Sequence, residues 1–231
     1  MNLESIYGNT LQYAFIALNP FKKMIIETKC EVHKDINLQA LNILRNDRYM
    51  KEYQFFRRFI KDINAGTAWA DQDFKSSNHF YNPHTKKGLY GRNNAMNLSK
   101  EYFHKSTYFI KIGDIHRAMF YLGSIIHLIQ DMTIPQHANI RLLDNHKQYE
   151  SFVKDTYKHM KEFHAQTGAY QLKSLENYIK FNGKTAIEIY KRFKNIPKDE
   201  IRFYKISSCA LPLAERTTAG FMLLFFRKMF Y

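Results

Sequence analysis

Apolar residues in this chain return every three or four positions and nowhere alternate over a convincing stretch, which calls for helices and leaves no strand from which to build a sheet. Over residues 35–44 the apolar positions Ile36, Leu38, Ala40, Leu41, Ile43 and Leu44 are dense, and Tyr53, Phe55, Phe56, Phe59, Ile60 and Ile63 form a second stripe, so two helices are expected there. Between residues 65 and 89 the pattern fails: Gly66, Asp71, Asp73, Ser76, Ser77, Asn78, Asn82, Pro83 and Gly88 predict a long polar loop, kept ordered by Trp69, Phe74, Phe80 and Tyr81. A loop that long inside a compact domain is usually functional. The helical pattern resumes over about 93–112, stops at Gly113, and restarts with Asp114 as N-cap of a very apolar segment, 118–129, expected to be buried on most sides. Beyond Pro135, helices are expected over about 145–163, 172–181 and 184–193, and from 215 to the C-terminus. The expected fold class is all-α, a multi-helix bundle.

At 231 residues, 45% hydrophobic and 24% charged, with 5 prolines and 9 glycines, the chain is too apolar for disorder and too poor in breakers for linkers. One domain is expected over 30–231, preceded by an N-terminal extension, 1–29, open to processing. The apolar runs 11–18 and 221–226 fall far short of the roughly 18 residues needed to span a bilayer. No Lys or Arg precedes the weak run at 11–18, so no secretory signal is recognised. A net charge of +14 predicts attraction to anionic partners, phospholipid surfaces or nucleic acid, without choosing between them. Two cysteines, Cys30 and Cys209, make no disulfide framework.

The chemistry lies in the histidines. On a helix, His127 and Asp131 share a face, as do His146 and Glu150, and both pairs have metal-ligand spacing. About one such pair is expected by chance in a chain with 10 histidines and 21 acids, so context decides. His127 and Asp131 interrupt an otherwise apolar helix, where an ionised carboxylate needs a cation or a salt-bridged histidine. His137 follows just past the break at Pro135, where the chain turns back toward His127. His33 stands before the first helix, and His79 in the Asp-rich loop. Imidazoles and carboxylates together suit zinc at sites with open positions, and several of each suggest more than one ion. Clustered zinc ions suit phosphodiester cleavage. Cys30, three residues before His33, either reaches the same ion as a thiolate or is a small buried hydrophobe. His84, His104, His116, His159 and His164 sit in Lys-rich or exposed-looking stretches and are given no role.

Taken in order, Val-His-Lys-Asp-Ile-Asn-Leu-Gln-Ala-Leu at 32–41, Trp-Ala-Asp at 69–71, His-Phe-Tyr-Asn-Pro at 79–83, Ala-Met-Phe-Tyr-Leu-Gly at 118–123, His127-x3-Asp131-x5-His137-Ala, His146-x3-Glu150 and Arg-Thr-Thr-Ala-Gly-Phe at 216–221 resemble the bacterial zinc-dependent phospholipase C family of the single-domain, broad-range lecithinase type. The resemblance implies an all-α bundle with a zinc cleft of two or three ions. By motif position His79, His127 and Asp131 hold one ion, His137, His146 and Glu150 a second, and His33 with a bridging Asp131 contributes to a third, while Asp71 is the general base. The family completes the third site with an N-terminal Trp, yet the only Trp here is Trp69. Gln72 and Ser76 stand where the family has aromatic residues, so headgroup preference does not carry over. The lipid-binding β-sandwich of the larger toxins is not expected.

The implied activity is hydrolysis of glycerophospholipids to diacylglycerol and a phosphorylated headgroup by a monomer acting peripherally at a membrane. Some of Tyr81, Tyr90 and Phe74 would serve as interfacial anchors, and Lys75, Lys86, Lys87 and Arg92 would attract anionic headgroups. The family is largely secreted. Two alternatives stay open: a zinc nuclease or nucleotidase of the S1/P1 type, which alone would bring in nucleic acid, and a non-catalytic metal-stabilised protein that binds lipid or nucleic acid.

Overall fold

The computed structural model describes residues 30–72, 77–89, 93–141 and 145–230. Among them it is built of helices: α1 (Glu31–Asn46), α2 (Met50–Arg58), α3 (Ile60–Asp71), α4 (Ala95–Lys111), α5 (Ile115–Asp131), the five-residue α6 (Pro135–Asn139), α7 (His146–Thr156), α8 (Leu175–Phe193) and α9 (Asp199–Phe230). Two 3-10 turns, Tyr157–His159 and Lys161–Phe163, follow α7 where a continuous helix was expected. No strand occurs among the described residues. The expected extension over 1–29 lies outside them, as do Phe74, Lys75, Ser76, Tyr90 and Arg92.

The second apolar stripe is not one helix. Phe59 (φ −105°, ψ 13°) closes α2 and opens α3. Helix α3 then runs through Gly66 to Asp71, where the sequence had predicted a loop from residue 65. The glycine is there for packing. A Cβ on Gly66 would lie 1.7 Å from the Phe120 carbonyl oxygen, and one on Gly123 would lie 1.9 Å from that of Ile63, so α3 and α5 cross with their backbones nearly touching. At this crossing the Ser124 hydroxyl donates to the Gly66 carbonyl (3.1 Å) and the Thr67 hydroxyl to that of Ile63 (2.9 Å). The result is to fix Asp71, the last residue of α3, relative to His127 on α5.

Helix α5 begins as the sequence indicated: Gly113 (φ +79°) ends the preceding turn, and the Asp114 side chain accepts from the Arg117 N–H. Every residue from Leu122 to Asp131 is buried. Helix α8 is continuous because Gly183, which looked like a break, lies against Met132 and Pro83, where a Cβ would meet the Met132 Cε at 2.7 Å.

Helix α9 starts at Asp199, well before the expected residue 215, and carries Pro212 inside it. Proline argued locally against a helix here, but Phe203, Ile206, Ala210, Leu211 and Ala214 pack this first half onto an apolar cluster with Tyr149, Val153 and Phe163. At 32 residues α9 is long and apolar enough to cross a membrane, which no apolar run in the sequence had suggested, yet 72% of its most apolar window is buried inside the fold. It is a core helix. Glu215, fully buried on α9, accepts from the Tyr157 hydroxyl (2.7 Å) and the Ala165 N–H and lies 3.1 Å from His164 Nδ1, and so anchors the 3-10 segment. His164, given no role from sequence, is thus a structural partner.

Candidate metal centre

Asp131, the last residue of α5, gathers the site. Its Oδ2 lies 2.7 Å from His79 Nδ1, 3.1 Å from His127 Nε2 and 3.9 Å from His137 Nδ1, and its Oδ1 lies 3.4 Å from His33 Nε2. Four imidazoles from four separate segments therefore converge on one carboxylate that is 3% exposed. Asp71 Oδ1 comes within 4.0 Å of His127 Nε2, and Asp71, His79 and His127 form a group whose ligand atoms lie within 4.8 Å of one another. A second group joins His137, His146 and Glu150: His146 Nε2 stands 3.0 Å from His137 Nε2 and 3.1 Å from Glu150 Oε1. Cys30, His33 and His127 make a third. Every residue that the sequence singled out for metal or catalysis is brought to this one region.

The segment His79–Pro83 shows how the placement is achieved. His79 turns inward to Asp131, and Phe80 stacks on the His137 ring with centroids 4.6 Å apart and planes 12° apart. The Tyr81 N–H donates to the His137 carbonyl (3.2 Å), and Asn82 Oδ1 accepts from the His84 and Thr85 N–H groups to close the turn. Tyr81 is 3% exposed, a core residue and not the interfacial anchor expected of it, because its backbone ties it to α6. Lys86 and Lys87 are exposed, as anticipated.

These spacings fit zinc. Two nitrogen or oxygen ligands on a tetrahedral ion at about 2.0–2.1 Å stand about 3.3 Å apart, and five separations, His33–Asp131, His79–His127, His127–Asp131, His137–His146 and His146–Glu150, fall at 3.0–3.4 Å, while His79–Asp131 is closer and His137–Asp131 wider. His137 Nδ1, 3.9 Å from Asp131 Oδ2, is buried with no hydrogen-bond partner among the described residues, the kind of orphan a native protein leaves where an ion or water belongs.

Electrostatics agree. Burial alone would push the Asp131 carboxyl up, but the charges of His127 and His137 and hydrogen bonds from His127 and His79 outweigh it and hold the carboxyl well below the usual carboxylate range. Burial pulls the His127 imidazole down, and the facing Asp131 overcomes it, so His127 is held charged well above the ordinary histidine value. Burial pushes His137 down to about 3 and also lowers His33, keeping both neutral as ligands must be. A metal ion entering the first group must therefore displace the proton of His127. Zinc titration by calorimetry at neutral pH, in buffers of different ionisation enthalpy, should show at least about one proton released per chain. Affinity should fall on acidification, because each proton released on binding is then harder to remove. Heats independent of the buffer would contradict this.

Sequence reasoning missed the polar frame behind the ligands. Gln130, 1% exposed on α5, places its Oε1 2.7 Å from His33 Nδ1, while its Nε2 donates to Asn37 Oδ1 (2.8 Å) and Thr218 Oγ1 (3.1 Å). The signal was present: Gln130 is a third polar residue in the same apolar helix as His127 and Asp131. A cavity of about 190 Å³ lined in part by Tyr190, Lys194 and Arg202 contains none of the ligands, although Gln136 and Asn145 in its wall are chain neighbours of His137 and His146.

The sequence matches the family model of zinc dependent phospholipase C over residues 32–204, three quarters of the chain and nearly all of the described ligands. The chain belongs to the zinc-dependent phospholipase C family. Its fold is similar to that of the alpha toxin from Clostridium absonum (TM-score 0.75, 18% identity, 86% of this chain and 64% of that one). It is similar also to the Clostridium perfringens alpha-toxin from avian strain SWCP (TM-score 0.72, 21% identity, 86% and 63%). The chain thus spans under two thirds of the length of either toxin. No curated protein matches the sequence. At these identities the toxins attest the all-α fold, and the phospholipase C family match attests the zinc dependence.

Proposed function

We propose that this chain is a zinc-dependent phospholipase C that hydrolyses the phosphodiester of glycerophospholipids to diacylglycerol and a phosphorylated headgroup, and that residues 30–231 form its catalytic domain. The observation that carries the reading is the convergence of His33, His79, His127 and His137 on the buried carboxylate of Asp131, with His146 and Glu150 adjoining, in a chain of this family. His79, His127 and Asp131 are assigned to one ion, His137, His146 and Glu150 to a second, and His33 with Asp131 to a third. Bound zinc would supply a water of lowered pKa and positive charge for the phosphate oxygens.

The chain's own groups do the rest. Asp71, partly exposed at the end of α3 and within 4.0 Å of His127, is placed to orient the attacking water and take its proton, or to join the ligands of the first ion. Phe80 stacks on His137 and meets the His146 ring edge-on, covering one side of the second group, whose Glu150 stays exposed. Exposed Lys86 and Lys87, within a net charge of +14, favour anionic bilayer surfaces, where the protein is taken to act peripherally and as a monomer. The family match favours this reading over a nuclease or a non-catalytic binder.

Zinc-loaded protein should release diacylglycerol from liposomes of mixed phosphatidylcholine and anionic lipid. A chelator should abolish release, and zinc should restore it. Folded, zinc-containing protein that releases none from either lipid would overturn the proposal.

A further inference from the structure

Cys30 and Cys209 occupy opposite environments. Cys209 packs against the apolar cluster on α9, whereas Cys30 belongs to neither apolar cluster and turns its Sγ toward His127 Nδ1 at 3.9 Å. Cys30 is the N-cap residue of α1 in a left-handed conformation (φ 46°, ψ 41°), and its side chain makes no capping hydrogen bond, so the thiol does not serve the helix end. For a residue with a Cβ that backbone costs on the order of 1 kcal/mol. His33 follows three residues later on the same side of α1, and the ligand atoms of Cys30, His33 and His127 lie within 4.8 Å of one another.

An independent chain of hydrogen bonds shows what His33 offers. The Thr67 hydroxyl donates to the Ile63 carbonyl, so it accepts from Asn37 Nδ2 (3.0 Å). That orientation leaves Asn37 Oδ1 to accept from Gln130 Nε2, and leaves Gln130 Oε1 to accept from His33. His33 must therefore carry its proton on Nδ1 and present the bare lone pair of Nε2. That lone pair faces the Asp131 Oδ1 oxygen at 3.4 Å, one acceptor against another, with a buried carboxylate on the far side. Two acceptors held so close need a cation between them.

We propose that Cys30 supplies a thiolate ligand to the ion shared by His33 Nε2 and Asp131 Oδ1, and that Gln130 positions His33 for it. His127 then donates its Nδ1–H to the sulfur and keeps Nε2 for the neighbouring ion, one partner fixing the tautomer of the other. Imidazole, carboxylate and thiolate together select zinc over magnesium or calcium. The Cys30 thiol loses its proton to solvent as the ion binds, so no oxidant or reductant enters.

This inference rests on the metal reading above, and a test on the zinc-loaded full chain separates the two. Zinc K-edge absorption should show a sulfur neighbour at about 2.3 Å, distinct from nitrogen and oxygen neighbours at about 2.0–2.2 Å. The sulfur shell should persist in Cys209→Ser. It should vanish in Cys30→Ser, with one zinc per chain lost by elemental analysis and an unchanged circular dichroism spectrum. The cobalt-substituted wild-type protein should show a thiolate-to-metal absorption that Cys30→Ser lacks. Gln130→Leu, which removes the partner of His33, should weaken that same ion by roughly 10–100-fold and spare the others. A wild-type protein that binds zinc with nitrogen and oxygen neighbours only overturns the thiolate and leaves the phospholipase reading standing. A folded protein that binds no zinc overturns both.

Discussion

Asp131→Ala should abolish phospholipid hydrolysis and strip the protein of zinc, while the fold survives. Asp131 faces His33, His79, His127 and His137 at once, so its loss opens the first and third groups together. Removing an outer partner of a metal ligand costs about 10–100-fold in affinity or activity; removing a carboxylate shared between ions should exceed that. Unfolding is not the expected route. Without Asp131 the strongest influence holding His127 charged is gone, so it sheds its proton rather than leaving an unpaired buried charge. Elemental analysis, liposome turnover and circular dichroism on one sample check all three statements. Near-normal zinc content and turnover would show that Asp131 is only the salt-bridge partner of a core histidine. Asp131→Asn, which keeps an oxygen but not the charge, should retain more zinc than the alanine variant and still lose most activity.

The second large effect concerns no ligand. Gly123→Val should destabilise the protein by at least about 3 kcal/mol, at or beyond the upper end for overpacked cores, because the added Cβ strikes backbone and no rotamer relieves it. For a chain of this size each kcal/mol lowers Tm by roughly 2–4 °C, so a drop of about 6–12 °C is expected. The crossing of α3 on α5 must open, and Asp71 must move away from His127, so activity per folded molecule falls as well. Gly113→Ala is the control: its φ of +79° makes any side chain strained, but nothing lies within 4 Å, so only about 1 kcal/mol is at stake and the site is untouched. Equal effects from the two substitutions would mean that the crossing tolerates separation.

The candidate ligands stand out by local context only in part, and His33, His79, His146 and Glu150 are picked out through the family resemblance. His127 and Asp131 interrupt an apolar helix, and His137 follows a proline that turns the chain. What was not legible depends on neighbours distant in sequence. Gly66 reads as a breaker until Phe120 lies against it, Gly183 until Met132 and Pro83 do. The last helix was expected only from 215, yet the packing of Phe203, Ile206 and Leu211 carries α9 from Asp199 through Pro212. Tyr81 in a polar loop suggested a membrane anchor, and only its bond to the His137 carbonyl shows why it is inside. The role of Gln130 required the orientation of three other side chains, which no local pattern encodes.

Every proposed metal ligand lies between Cys30 and Glu150, on α1, α3, the segment after it, α5, α6 and α7, while α8 and α9 contribute none. An ion held there ties together stretches of chain that are otherwise joined by long connections, as a covalent cross-link would. The two ends of the molecule should then differ in wear. With zinc withdrawn, backbone amides of α1, α6 and α7 should exchange with solvent and open to proteases first, while α9, sealed in the apolar core, stays protected. At a free-zinc level a hundred times the dissociation constant, each ion adds about 2.7 kcal/mol against that opening. The lifetime of the protein should therefore track the zinc in its surroundings, and sequestering zinc should hasten its degradation.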